Sequence, residues 1–405
     1  MLLSLAVVYT LRVISGLGTL LAIVIIDRTY GSQEIAQYAI FMFLFNLATV
    51  LAVWGSNVVA VDNNSEAEGG DKATGIYVGH KLLDGLVASA GIYLVLMSSG
   101  YWRAGLLAVI PLGVAGLIAA MLIARKRPAI AIVCNEFGRA FIPLLVMVLI
   151  LSVGTMPFGV LVDTSYLILF VLLPLLLLYV HRNPFWNINY TLRFAVWLAE
   201  KKHAVPIVLP QILIVVVAQS DRFVIEQWGS AKELASYFAA QALYTVVLFG
   251  SHAVLNSVMP DIARVAAQST GSLRQEGLLA LKVSALLSAL LVPVAYVYFG
   301  LIDIDRTLAM QVLLVLIVGG LVSSMFGIGL SAMQFCQDKR KYLSLVVLGL
   351  VCQYVTIFSF FDPFGVYAVA LGFVVYGGVT AFTAAVYWRR KKIPVTPFAR
   401  RQITS

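Results

Sequence analysis

The chain is a succession of apolar runs, each about twenty residues long, joined by short polar connections. The runs are continuously apolar rather than alternating. About 20 residues of helix cross ~30 Å of hydrocarbon, and backbone groups with no water partner must be paired within helices or a closed barrel. Runs without alternation select helices. Twelve are predicted, at residues 4–26, 35–61, 75–98, 104–124, 129–152, 165–181, 205–227, 234–258, 276–299, 307–333, 341–360 and 365–388. Residues 182–203 break the pattern. There Trp186, Tyr190, Phe194 and Trp197 fall at spacings of four, four and three on one helical face, while Asn187, Asn189, Arg193 and Lys201 point elsewhere. That reads as a helix lying in the headgroup plane, or alternatively as an aromatic loop packed on the bundle. Either way it separates an N-terminal lobe, 1–181 with spans one to six, from a C-terminal lobe, 204–388 with spans seven to twelve, followed by a tail at 389–405.

The two halves echo one another. GSAKELASY, starting at Gly229, reads almost as GSQEIAQY, starting at Gly31, with one residue inserted and an offset close to half of the 405 residues. Internal similarity at half the length is how a duplicated fold shows itself. Ser230 and Glu233 also form a Ser-x-x-Glu capping box, which could open any helix. Because six spans is an even number, both halves enter the membrane from the same side, so the repeat is parallel, about an axis along the membrane normal. The predicted fold is an all-α integral membrane protein of about twelve transmembrane helices in two pseudo-symmetric six-helix lobes.

Composition agrees: 61% of residues are hydrophobic and only 12% charged, far from the balance of a soluble globule. Charge then orients the chain, because short cytoplasmic loops retain Lys and Arg. Of the 28 Lys and Arg residues, only Arg28, Arg103, Arg222, Lys232 and Arg306 fall on the outer side, and only Arg12, Lys81 and Arg139 within spans. The rest lie on one side, which places both termini in the cytoplasm; the acidic 62–72 loop is the one dissenter. Residues 1–26 lack a basic n-region and read as a retained first span. Cys134, Cys336 and Cys352 show no CxxC spacing and read as small hydrophobes, so no metal or cofactor is expected. Arg389-Arg390-Lys391-Lys392 through Arg401 reads as a stop-transfer and anionic-lipid anchor; nucleic acid is not an expected partner, since nothing folded accompanies the charge.

Charges in mid-bilayer are costly and therefore candidate functional residues. Arg12 in span one either snorkels to the headgroups or lines a cavity. Asn135, Glu136 and Arg139 lie near the middle of span five, with Glu136 and Arg139 one turn apart, and Lys81 and Asp84 repeat that spacing in span three. Such pairs can simply neutralise each other. In the second half, Asp221 and Arg222 precede the repeat turn, and His252 lies in span eight, where it reads as a core histidine or a proton carrier. The deep charges of the first half leave a small positive surplus, which suits an anionic headgroup because guanidinium binds phosphate in bidentate fashion.

The segment LRVISGLGTLLAIVIIDRTYGSQEIAQYAIFMFLFNLATVLAVWGSN resembles the opening of polysaccharide-type flippases of the multidrug/oligosaccharidyl-lipid/polysaccharide (MOP) exporter superfamily. QSDRFVIEQWGSAKELASYFAAQAL resembles the matching second-half signature. With the twelve spans, the 6+6 layout and the basic tail, the resemblance covers nearly the whole chain. It implies two six-helix lobes that open alternately to either face of a bacterial cytoplasmic membrane. It also implies an undecaprenyl-diphosphate-linked oligosaccharide as cargo, as in Wzx-like O-antigen flippases, with glycan polymerase or assembly proteins as further partners. The charged first-lobe cavity of such flippases can fall only on Arg12, Lys81, Asp84, Glu136 and Arg139 here, and Asp221 takes the position of the family Asp. Glu136, Asp84 or Asp221 would couple transport to H+ or Na+.

Two other readings stand beside this one. A cation-coupled multidrug or small-molecule antiporter of the same superfamily would favour a net acidic cavity. A membrane glycosyltransferase or polymerase needs a sizeable outer loop with acidic residues, whereas the longest outer loop, Ser152 to Asp163, offers one carboxylate. No HExxH, Walker or nucleophile-elbow pattern occurs, so an enzyme is not expected.

Overall fold

The computed structural model describes residues 2–53, 76–77, 80, 83–88, 90–91, 104–124, 127, 130–131, 133, 138–182, 188–189, 194–268, 272–326, 328–335 and 339–397. The chain is all-α and membrane-spanning. Among the described residues, eight helices are long and apolar enough to cross a membrane, and Arg139–Val153 and Phe158–Val171 are shorter apolar ones. The strand pairing there is a parallel two-residue match of Ile76 and Tyr77 with Ile188 and Asn189. The chain divides into two compact units, residues 6–216 and residues 217–405 joined by residues 1–5. The division falls inside a helix, at 216/217.

In the first unit, α1 (Leu2–Tyr30) ends at Gly31, whose φ of 104° lets the chain turn directly into α2 (Ser32–Val53). Residues 104–108 form a 3-10 turn that leads into α3 (Val109–Ala124); α4 (Gly138–Val153), α5 (Phe158–Leu167) and α6 (Leu172–His181) follow. Lipid tails are as apolar as leucine, so close approach between helices depends on small residues. Gly113 accordingly meets Ala52, Gly116 meets Val53, and Gly18 meets the backbone of Ala140. The predicted sixth span starts too late. Helix begins at Phe158 rather than at 165, and Asp163, read as loop, lies within it and accepts the Gly105 N–H at 3.0 Å.

The last ten residues of the 182–203 segment are helical. α7 runs unbroken from Phe194 to Gln219, so Phe194 and Trp197 share a helix with the candidate span that starts at Val208. Trp186 and Tyr190 lie outside the described residues.

The second unit contains α8 (Asp221–Trp228), the 38-residue α9 (Ala231–Gln268), α10 (Arg274–Tyr298), α11 (Arg306–Met325), the short α12 (Gly329–Met333), α13 (Lys339–Phe364) and α14 (Val366–Arg390). The span predicted at 307–333 is thus two pieces, α11 and α12. α13 and α14 form a hairpin about Gly365, φ 52°. Its two arms approach closely where Gly349 faces Tyr376 and Thr380, and where Gly372 faces Ile357.

Candidate functional site

The break between α7 and α8 concentrates polar chemistry in apolar surroundings. A helix end leaves carbonyls without intrahelical partners, and in lipid these must be met by side chains. At Ser220 the helix stops for one residue, and two freed carbonyls find donors on neighbouring helices. Gln353 Nε2 of α13 donates to Val217 O at 3.0 Å, and Gln241 Nε2 of α9 donates to Ala218 O at 2.8 Å. The Ser220 and Tyr354 hydroxyls are hydrogen-bonded to each other. Broken helices of this kind are where transporters build their ion and substrate sites.

Asp221 opens α8 from this break and is fully buried, 0% exposed. Its carboxylate is surrounded by donors: the Tyr237 hydroxyl, Gln241 Nε2 at 3.2 Å and the Arg222 backbone N–H at 2.8 Å. The Arg222 guanidinium, also buried, turns instead to Gln241 Oε1, with Nε at 3.2 Å and a terminal nitrogen at 2.8 Å, and lies 4.6 Å from the Phe238 ring centre. Gln241 is therefore the hub, accepting from Arg222 while donating to Asp221 and Ala218. The capping box at the start of α9 fixes the register of Tyr237 and Gln241: the Ser230 N–H donates to Glu233 Oε2 at 2.7 Å, and the Glu233 N–H donates to Ser230 Oγ at 3.2 Å. Gln353 Oε1 is a buried acceptor with no hydrogen-bond donor among the described residues.

The repeat turn of the first unit builds a different site with the same device. Tyr38, the counterpart of Tyr237, is also buried, and its hydroxyl lies 2.8 Å from the Tyr166 hydroxyl of α5. The Tyr166 hydroxyl also lies 3.0 Å from Met42 Sδ. Phe41 and Phe45 stand edge-on to the Tyr166 ring at 4.8 and 4.9 Å. Arg139, at the start of α4, is close enough to Tyr166 to interact with it electrostatically. No acid stands where Asp221 would map: eight residues before Gly31 the chain has Ile23, fully buried.

Asp84 has a partner that its spacing from Lys81 does not foretell. Its Oδ2 is 2.6 Å from Lys201 Nζ and its Oδ1 accepts from Trp197 Nε1 at 2.8 Å, both on α7. Sequence spacing sees only i, i+3 neighbours, whereas this bond joins residues 117 apart. The tie is buried and anchors the start of α7 to the first unit. Lys81, Asn135 and Glu136 lie outside the described residues. Arg12 lies on α1 and His252 on α9, with side chains outside the described set. Of the predicted site residues, Asp221 and Arg222 are thus brought together with Gln241 and Tyr237, while Asp84 and Arg139 belong to separate places in the first unit.

No protein-family model and no curated protein matches the sequence. Solved structures do match, over almost the whole chain. DinF-BH, a MATE multidrug transporter solved as a complex, superposes with a TM-score of 0.71 at 15% identity, covering 98% of this chain and 97% of that one. An outward-facing multidrug resistance MATE family transporter of the MOP superfamily gives 0.68 at 15% identity, covering 96% and 95%. A MATE solved in complex with MaL6 gives 0.68 at 16% identity, covering 96% of each chain. The fold is that of the MATE transporters. At this identity the likeness shows the MATE fold alone, and the all-α membrane architecture expected from the apolar pattern is confirmed by it.

Proposed function

We propose that the protein is an alternating-access exporter of the bacterial cytoplasmic membrane that exchanges an organic solute for H+ or Na+. The observation that carries this reading is the match of nearly the entire chain to MATE multidrug transporters. The broken helix supports ion coupling: Asp221 is the buried acid of the second unit, and its donors Tyr237 and Gln241 sit on a different helix from the carboxylate they hold. Loading an ion at Asp221 would redistribute these bonds and so alter how α8 is held to α9. The protein, purified and reconstituted into proteoliposomes, is given an inward H+ or Na+ gradient while the movement of a cationic dye is followed. Gradient-driven dye movement that Asp221→Asn abolishes is the expected result; absence of dye movement under either gradient would reject the antiporter.

A second reading, flipping of an undecaprenyl-diphosphate-linked oligosaccharide, is favoured by the charge of Arg139 within electrostatic range of Tyr166 and by the net charge of +9. A guanidinium binds phosphate oxygens in bidentate fashion. Restoration of surface glycan in a flippase-null strain by the wild-type protein, and its loss with Arg12→Ala or Arg139→Ala, would select this cargo over a drug-like one.

A further inference from the structure

The described part of the C-terminal tail, to residue 397, is a folded hook. After α14 ends, Lys392 takes a φ of 62°, a region a lysine rarely occupies. The turn is held by the Lys392 N–H on Arg389 O at 3.0 Å and the Ile393 N–H on Trp388 O at 3.0 Å. The chain then runs back along its own unit. The Leu273 N–H donates to Pro394 O at 3.0 Å and Arg274 Nε donates to Pro397 O at 2.9 Å, so the start of α10 grips it twice. Ile393 and Val395 are buried, 2% and 1% exposed, with Val395 against Gly329 of α12. Trp388 Nε1 donates to Gly329 O at 2.9 Å beside it.

This packing leaves a defined group of cations at one end of the helices. Arg389, Arg390, Lys391 and Lys392 are all exposed. Among the described residues no carboxylate pairs with any of the four; the ion pairs Asp84–Lys201 and Asp261–Arg264 lie elsewhere. α13 runs antiparallel to α14, which brings its own exposed start, Arg340 and Lys341, to the same end, with Lys341 Nζ 5.5 Å from the Tyr387 ring centre. The group closes a 25-residue apolar helix and continues two residues past it, next to the half-buried Tyr387, an aromatic of the kind that settles at the headgroup level.

We infer that this end of the second unit is a fixed binding surface for anionic phospholipid headgroups, built by the hook and not by a loose basic tail. A loose tail attracts acidic lipid through charge alone. A fixed surface needs the hook as well. The full-length protein in detergent is titrated with phosphatidylglycerol, phosphatidylcholine or inorganic phosphate, with bound lipid counted by native mass spectrometry and folding checked by thermal melting. Wild type should prefer phosphatidylglycerol by about tenfold or more. Neutralising the four cations (Arg389→Gln, Arg390→Gln, Lys391→Gln, Lys392→Gln) should remove the preference. Ile393→Asn with Val395→Asn keeps every cation but unseats the hook, and should cut the preference to the weaker one that charge alone gives; the milder Arg274→Gln, which loses one of the hook's bonds, should reduce it less. Equal binding of the two lipids, or a preference that survives neutralisation, would overturn the inference. Full preference in a melted-out hook would show a loose tail, and displacement of lipid by inorganic phosphate at equal concentration would show a free-anion site; either result also overturns it.

Discussion

Tyr237 donates its phenolic hydrogen bond to Asp221 across sixteen residues and the turn at Gly229. The bond joins the helix that opens from the break to the helix that follows the turn, so it fixes the geometry of both. Tyr237→Phe removes only the hydroxyl and leaves Gln241 Nε2 and the Arg222 N–H on the carboxylate. A hydrogen bond to a charged group contributes about 1.5–3 kcal/mol, and thermal or denaturant unfolding in detergent should show a loss of that order. An unchanged midpoint would show that Asp221 is held well enough without it.

The Asp84–Lys201 pair predicts a non-additive pair of variants. Breaking a buried pair by removing one partner strands the other charge and costs about 3–5 kcal/mol. Asp84→Ala and Lys201→Ala should each destabilise strongly, and the double variant should lose less than the sum of the two. The double-mutant cycle, followed by unfolding, measures the difference directly.

Close helix approach in the α13–α14 hairpin makes two nearby glycines respond oppositely to the same change. A Cβ at Gly349 would lie 2.8 Å from Tyr376 Cδ2 and would also press on Thr380, whereas one at Gly377 would have nothing closer than Ser323 Cβ at 3.6 Å. Gly349→Ala should cost about 1–3 kcal/mol through overpacking, and Gly377→Ala should be tolerated. Melting temperatures of the two variants, measured side by side, check this.

Ser230→Ala should fray the start of α9 by removing the hydroxyl that accepts the Glu233 N–H, at a cost of about 1 kcal/mol. Hydrogen exchange in the first turn of α9 is the sensitive readout, since the box lies at an exposed helix end and global unfolding would dilute the effect.

The apolar pattern makes most of the architecture readable: α10 at Arg274–Tyr298 falls within a residue or two of its predicted 276–299. The capping box at Ser230 is legible because both partners lie within four residues. Features that depend on distant partners are not. Asp163 reads as loop because its acceptor role is satisfied by Gly105, 58 residues away. Asp84 reads as the partner of Lys81 because Lys201 is remote in sequence. Gln241, the hub of the candidate site, carries no charge and so stands out in sequence only as one more polar residue of span eight. The signal that could find it is its place four residues after Tyr237, on the same face of α9.

The tail reads in sequence as a charge reservoir, and its fold is invisible there for the same reason. Nothing in Ile393-Pro394-Val395 shows that Leu273 and Arg274 will bond to the backbone there. Composition supplies its sign, while its shape is set by α10.

At 1.5 Å per residue, the 38 residues of α9 reach roughly 57 Å, nearly twice the ~30 Å of hydrocarbon. Its closing turns carry the exposed Asp261–Arg264 pair on one face and bury Ile262, Ala263 and Ala266 on the other. A soluble protein grafted in helical phase after Gln268 would therefore extend a helix end already clamped by its neighbours, which restrains the wobble that blurs such fusions in electron microscopy.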